Sequence, residues 1–351
     1  MAYTLSLLNR QGIPALLQGV ETRGQWLEKR DSVRRAWLSY IGELPPRVPV
    51  NVRVRSESKE PGHTRHHIEY DTVYGDTITA YLLIPDGAET SGAASKQIPA
   101  ILALHPTQEM GKDNIATPQG KKNRMYALEL VQRGYVVLAP DALTAGERIE
   151  PGGAAFHSGL FYERHPEWST VAKNITDHMQ SVDVLCSLDV VNPHAVGAIG
   201  HSFGGYNSYF LAGMDDRIKA VVSSCGFSPF TGDPHPEHWG YRSYPYTHIP
   251  KMSADLQQDR IPFEFHEIAA LCAPVPFFNY AGQADHIFPH WKSVAEGMLE
   301  VSGLYGWLGE EDRFKFYMSA GGHDFPGEIR ELAYSFLDRW LIHAIKEETG
   351  R

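Results

Sequence analysis

Six short, largely apolar runs, each set beside a stripe of apolar residues at helical spacing, leave this chain few ways to fold. The runs are Pro99–Leu104, Tyr135–Ala139, Ala195–Ile199, Lys219–Ser224, Pro276–Ala281 and Phe314–Met318. A run with no polar alternation predicts a strand buried on both faces, which is the signature of a parallel sheet. Between the runs, Met125, Leu128 and Val131 predict one helix, and Val171, Ile175, Met179, Val182 and Leu185 another. Trp291, Val294, Ala295 and Met298 follow, and Leu332, Ala333, Phe336, Leu337, Trp340 and Leu341 close the chain. Upstream, His67–Tyr70 and Thr77–Ile84 alternate about Tyr74-Gly75-Asp76 and predict an antiparallel hairpin. The expected class is α/β: a mostly parallel central sheet, an antiparallel N-terminal hairpin, and helices on both faces.

The 351 residues divide unevenly. Residues 1–65 read as a helical extension packed on a main domain of 66–351. Its helix carries Trp26, Arg30, Val33, Trp37 and Tyr40/Ile41 on one face, and Pro45-Pro46 and Pro49 stop it. A basic amphipathic helix of this kind also suits a partner or lipid surface. Gly87–Ser95 reads as a surface loop, and about 227–270 as a cap-like insertion rich in aromatic residues and prolines.

Lys+Arg 32 against Asp+Glu 42 gives a net charge of −10, which repels phosphate backbones and anionic lipid heads. Nucleic acid and membranes are therefore excluded as expected partners. Cys186, Cys225 and Cys272 form no CxxC pair, so neither a cysteine zinc site nor a disulfide scaffold is expected. His266-Glu267-Ile268-Ala269-Ala270 breaks the HExxH template at its last position, and no metal or cofactor is expected. The first ten residues lack a basic segment before an apolar run, which makes a cytoplasmic location the expectation.

In such sheets the reactive groups sit just beyond the carboxyl ends of the strands. After Ala195–Ile199 comes Gly200-His201-Ser202-Phe203-Gly204, leading into Gly205–Leu211 with helical character. A nucleophile on a tight strand-to-helix turn needs glycine two residues either side, because side chains there would collide. A serine hydroxyl needs a base to take its proton and a carboxylate to orient that base. Asp285 follows the strand Pro276–Ala281 and His323 follows Phe314–Met318, each in the loop where the acid and the base belong. His286 and Asp324 are the neighbouring alternatives. An oxyanion would meet the N–H of Phe203 and a second donor in the turn His105-Pro106-Thr107-Gln108. Pro106 has no N–H, so the second donor is Thr107 or Gln108.

These motifs resemble the α/β-hydrolase superfamily, and within it the dienelactone hydrolase and acetyl xylan esterase-like branch. The resemblance covers about residues 66–345 and rests on LALHPT (102–107), GHSFGG (200–205), SSCGF (223–227), GQADHIFP (282–289) and GGHDFP (321–326). It implies the α/β-hydrolase fold and a serine esterase acting on small acyl esters, acetyl above all. A small-molecule ester is the implied partner, with self-association left open. The rival readings are a peptidase related to the prolyl oligopeptidase clan and a non-catalytic binding module. Substrate-binding candidates are His201, Trp239, Tyr241 and Arg148. Arg148 would meet a substrate carboxylate, unless it pairs with Glu147 at the surface. The insertion's aromatic residues, Phe230, Trp239, Tyr241, Tyr244 and Tyr246, either wall the pocket or fill a small core of their own.

Overall fold

The computed structural model describes residues 2–88, 97–241 and 246–343. Nine strands form the main sheet: β2 (Val52–Glu60), β3 (His63–Asp71), β4 (Thr77–Pro85), β5 (Ile98–Leu104), β6 (Val136–Pro140), β7 (Val191–His201), β8 (Ile218–Ser224), β10 (Phe277–Gly282) and β11 (Phe314–Ser319). A two-stranded ladder joins β1 (Tyr3–Thr4) to β9 (Arg260–Ile261). The sheet order is β11-β10-β8-β7-β5-β6-β4-β3-β2. Neighbours from β6 through β5, β7, β8 and β10 to β11 run parallel, while β2, β3 and β4 pair antiparallel with each other and β4 with β6. The expected fold class is present.

Side-chain alternation along each apolar strand feeds two separate cores. Ala100, Leu102 and Leu104 face the helices Thr170–Cys186, Phe203–Ala212 and Trp291–Leu308. Ile101 and Ala103 face Tyr126, Leu130 and Val131, with Ala333 and Leu337 of the helix Gly327–Asp338. Both faces are covered, and the strand ends carrying the loops of interest share one rim.

The sheet begins earlier than expected. Val52–Glu60 belongs to it as the edge strand β2, so 52–65 is not part of a purely helical extension. Its sequence hides this because an edge strand is wet: Val54 is 61% exposed, and Arg53 and Arg55 pair with Glu69. The helix Arg23–Ile41 does form, opened by a reciprocal Thr22/Gln25 capping box and buried through Trp26, Val33, Trp37 and Ile41. Trp37 lies 4.8 Å from Phe210 and 5.3 Å from Phe263 between ring centroids. The amphipathic face is thus packed against the chain's own insertion and the helix Phe203–Ala212 rather than left for a partner or lipid. No helix among the described residues is long and apolar enough to cross a membrane. Tyr244 and most of the Gly87–Ser95 loop lie outside the described residues.

Candidate active site

The turn at Ser202 is as tight as its glycines require. β7 ends at His201 and the helix Phe203–Ala212 starts two residues later, with Ser202 between them at φ 56° and ψ −117°. A Cβ on Gly200 would stand 2.2 Å from the Gly204 carbonyl carbon, and one on Gly204 would stand 2.0 Å from the Leu104 oxygen. The strained turn is held at both ends: Ser202 N–H donates to the Ser224 carbonyl (2.8 Å) and Tyr206 N–H to the Ser202 carbonyl (3.1 Å).

Three strand ends meet above this turn. His323 Nε2 lies 2.8 Å from Ser202 Oγ, and His323 Nδ1 lies 2.7 Å from Asp285 Oδ2. Asp285 is 4% exposed, and its other oxygen accepts from the N–H groups of Ile287 (2.8 Å) and Phe288 (3.0 Å). Burial pushes this carboxyl up, but the His323 hydrogen bond and charge, with the two amides, outweigh it and hold it below the usual carboxylate range. An ionised carboxylate on Nδ1 fixes the imidazole tautomer that leaves Nε2 free to accept the hydroxyl proton. Neither neighbouring alternative takes part in this relay: Asp324 pairs with Arg124, and the His286 ring packs 6.1 Å from His323.

The group opens into a cavity of about 500 Å³. Phe203, Thr107 and Gln108 all line it, and among the described residues their backbone N–H groups are donated to no protein acceptor. The turn that carries Thr107 is braced by His105. Its Nε2 accepts from Ala142 N–H (3.0 Å), so its Nδ1 carries the proton that donates to the Pro106 carbonyl (2.7 Å). Burial pushes His105 toward its neutral form, consistent with that tautomer.

Of the substrate-binding candidates, the structure brings His201 and Trp239 to the cavity and not Tyr241 or Arg148. His201 is 1% exposed, lies 3.0 Å from Ser224 Oγ through Nδ1, and stacks on Phe325; its ring is 4.9 Å from that of His323. Tyr241 points to solvent at 69% exposure, so its expected role in the pocket wall is corrected. Arg148 is corrected too, in both of its expected settings. It is buried in a second cavity and donates to Asp76 (2.5 Å), Asp177 (2.9 Å) and the Asp141 carbonyl (3.1 Å), while Glu147 pairs with Lys112 and His67. The insertion's aromatics divide: Trp239, Tyr246, His238 and His248 wall the cavity, and Phe230 joins Phe263 and Phe265 in a core.

Sequence reasoning missed Phe156, Tyr206, Lys121 and Arg124 as lining residues. Tyr206 stands one helical turn beyond Ser202, a spacing that could have pointed to it. Nothing local distinguishes the other three. No Asp or Glu is among the described lining residues.

Among the described residues one cluster has metal-ligand character: Cys225, Asp285 and His323 offer atoms within 4.8 Å of one another. The carboxylate and imidazole there already bond each other, and burial pushes the Cys225 thiol up to about 12, leaving a protonated sulfur that donates toward the Asp324 carbonyl (3.4 Å). A thiol in that state is a poor ligand.

Residues 94–255 match the model of the Dienelactone hydrolase family, a span that contains Ser202 and ends before Asp285 and His323. The Bacillus subtilis (strain 168) protein YtaP is 26% identical over 315 residues, covering 88% of this chain and 98% of its own length. A glucuronoyl esterase from Solibacter usitatus has the same architecture, with a TM-score of 0.70, 20% identity, and coverage of 93% of this chain and 97% of its own. A promiscuous CE15 esterase from a marine bacterial metagenome superposes with a TM-score of 0.65 at 16% identity, covering 92% of this chain and 94% of its own. Residues 94–255 thus match the dienelactone hydrolase family model, and the chain shares the α/β-hydrolase fold of these esterase structures.

Proposed function

We propose that the protein is a serine esterase that hydrolyses small acyl esters, acetyl esters above all, through an acyl-enzyme. The observation that carries this reading is the continuous relay from Ser202 Oγ to His323 Nε2 (2.8 Å) and from His323 Nδ1 to Asp285 (2.7 Å), opening into a walled cavity. His323 takes the Ser202 proton as Oγ attacks the ester carbonyl carbon. The carbonyl π electrons move to oxygen, where Phe203 N–H and the N–H of Thr107, with Gln108 as the alternative, stabilise the charge. Each such donor lowers the barrier by roughly 3 kcal/mol. The intermediate collapses as His323 protonates the departing alkoxide. His323 then deprotonates water, which attacks the acyl-enzyme and releases the acid with Ser202 restored. Asp285 stays ionised throughout and stabilises the imidazolium. The route needs no cofactor.

The glucuronoyl esterase and CE15 esterase among the structural neighbours support an ester as the target. Trp239, Tyr246, Phe156 and Phe203 enclose the space beside the nucleophile, which favours a compact acyl group. The test is Ser202→Ala with p-nitrophenyl acetate and a fluorophosphonate probe. Turnover should fall by about 10⁴-fold or more and labelling should vanish, with the circular dichroism spectrum unchanged. Retained turnover or retained labelling removes the mechanism. A panel of acetylated sugars, aryl esters, lactones, longer acyl chains and proline peptides then ranks the substrates.

A further inference from the structure

The base sits on a loop, Ala320–Pro326, that has no regular secondary structure of its own. Its first half is tied to the acid loop, where Ala284 N–H donates to the Gly321 carbonyl (2.9 Å). Its second half is gripped from a different part of the chain. Arg124, just before the helix Tyr126–Gln132, forms an ion pair with Asp324 through Nη1, and its Nη2 donates to the His323 carbonyl at 3.2 Å. Among the described residues that carbonyl accepts from nothing else. Asn123 Nδ2 donates to the other Asp324 oxygen at 2.6 Å. A second arginine backs the grip: Arg330 donates to the Phe325 carbonyl (2.6 Å) and to Asn123 Oδ1 (3.3 Å), and is itself held by Glu129 at 2.8 and 2.9 Å.

Resting on the esterase reading above, we infer that Arg124 and Asp324 form a positioning pair for the base, locking the backbone that carries His323 so that Nε2 stays within reach of Ser202. A guanidinium fork is suited to such a lock because one of its nitrogens binds the carboxylate next to the base while another holds the base's own carbonyl. Proton transfer tolerates little drift, since a misplacement of about 1 Å costs on the order of 100-fold in rate. The sequence places these partners 200 residues apart, and they meet only because β5 and β11 deliver their loops to the same rim. Arg124 also lines the cavity, so direct contact with substrate is the competing role.

The two roles separate by experiment. In Arg124→Ala, kcat for p-nitrophenyl acetate should fall roughly 10- to 100-fold with KM unchanged within about twofold. Guanidinium ion at millimolar concentration should restore part of kcat, whereas sodium should not. Asp324→Asn keeps one accepting oxygen for Arg124 but loses the charge and the acceptor for Asn123 Nδ2, and should give a fall of the same kind but smaller, roughly three- to tenfold. The low-field proton resonance of the Asp285–His323 bond should broaden or vanish in both variants. That measurement needs no substrate, so it tests the pair even if wild-type protein hydrolyses no ester and takes no fluorophosphonate, an outcome that would sink the esterase reading instead. A rise in KM with kcat intact assigns Arg124 to substrate contact and overturns the inference. So does an unchanged kcat together with an unchanged low-field resonance in both variants.

Discussion

Two cavities among the described residues match in size, about 500 Å³ each, and are built from opposite chemistry. The second is lined by charges that already have partners: Arg148 and Lys173 against Asp76 and also against the buried Asp177 outside the lining, Arg55 against Glu69, Arg164 against Glu150. The first has no carboxylate among its described lining residues, an aromatic wall, and a hydroxyl aimed at an imidazole. Volume does not separate them. What does is whether the polar groups are satisfied inside the protein: in the second cavity every named ion has a partner, while in the first the amides of Phe203, Thr107 and Gln108 donate to no protein acceptor among the described residues. A buried charge set of the satisfied kind organises structure, and breaking one member leaves the others exposed to a low dielectric without compensation.

That contrast can be broken by substitution. The largest effect should come from Asp285→Asn, which keeps the shape of the first cavity but favours the wrong imidazole tautomer. We expect kcat to fall about 10⁴-fold, measured by steady-state hydrolysis of p-nitrophenyl acetate, with the midpoint of urea unfolding little changed. Arg148→Met should do the reverse. Removing the buried guanidinium from Asp76 and Asp177 should cost roughly 3 kcal/mol in urea unfolding, while kcat of the folded fraction stays within about threefold. A large loss of kcat without loss of stability would show that the second cavity serves catalysis after all.

The smallest effect concerns acid. Burial pushes the Asp76 carboxyl up, but the charges of Arg148 and Lys173 outweigh it and hold it well below the usual carboxylate range. Asp285 is held below that range as well. A group whose folded pKa is depressed stabilises the fold above its unfolded pKa, near 4, and loses that contribution as pH falls through the folded value. Thermal unfolding should therefore be insensitive to these two groups at neutral pH and fall steadily below about pH 4. Arg148→Met should flatten the part of that slope that belongs to Asp76, and Asp285→Asn the part that belongs to Asp285.

Much of the fold was legible along the chain, for a reason visible in particular strands. Val136–Pro140 is buried at every position, and burial on both faces permits only an apolar run. β2 escaped notice because it is an edge: Arg53 and Arg55 are tied to Glu69 at the surface, and polarity there carries no sign of pairing. Ser202, Asp285 and His323 each follow a recognisable strand, so the sheet itself predicts the rim on which they meet. Arg148 and Tyr241 also stand in loops near that rim, yet one turns inward to Asp177 and the other outward to water. A loop's position in the sequence states which rim it joins and says nothing of the direction in which a side chain leaves it.

What the sequence determined alone was periodicity and punctuation: which runs bury both faces, where glycine permits a strained turn, and the order in which strand ends deliver a hydroxyl, a carboxylate and an imidazole. The tertiary structure decided what depends on partners far apart in the chain: that Arg124 grips the His323 loop, that Arg148 neutralises a separate cluster, and that the N-terminal helix closes over the insertion through Trp37. Backbone patterns arise from each residue's own sterics and solvation and can be read locally. Charge pairing and cavity walls arise from distances between remote segments, and those distances exist only once the sheet has formed.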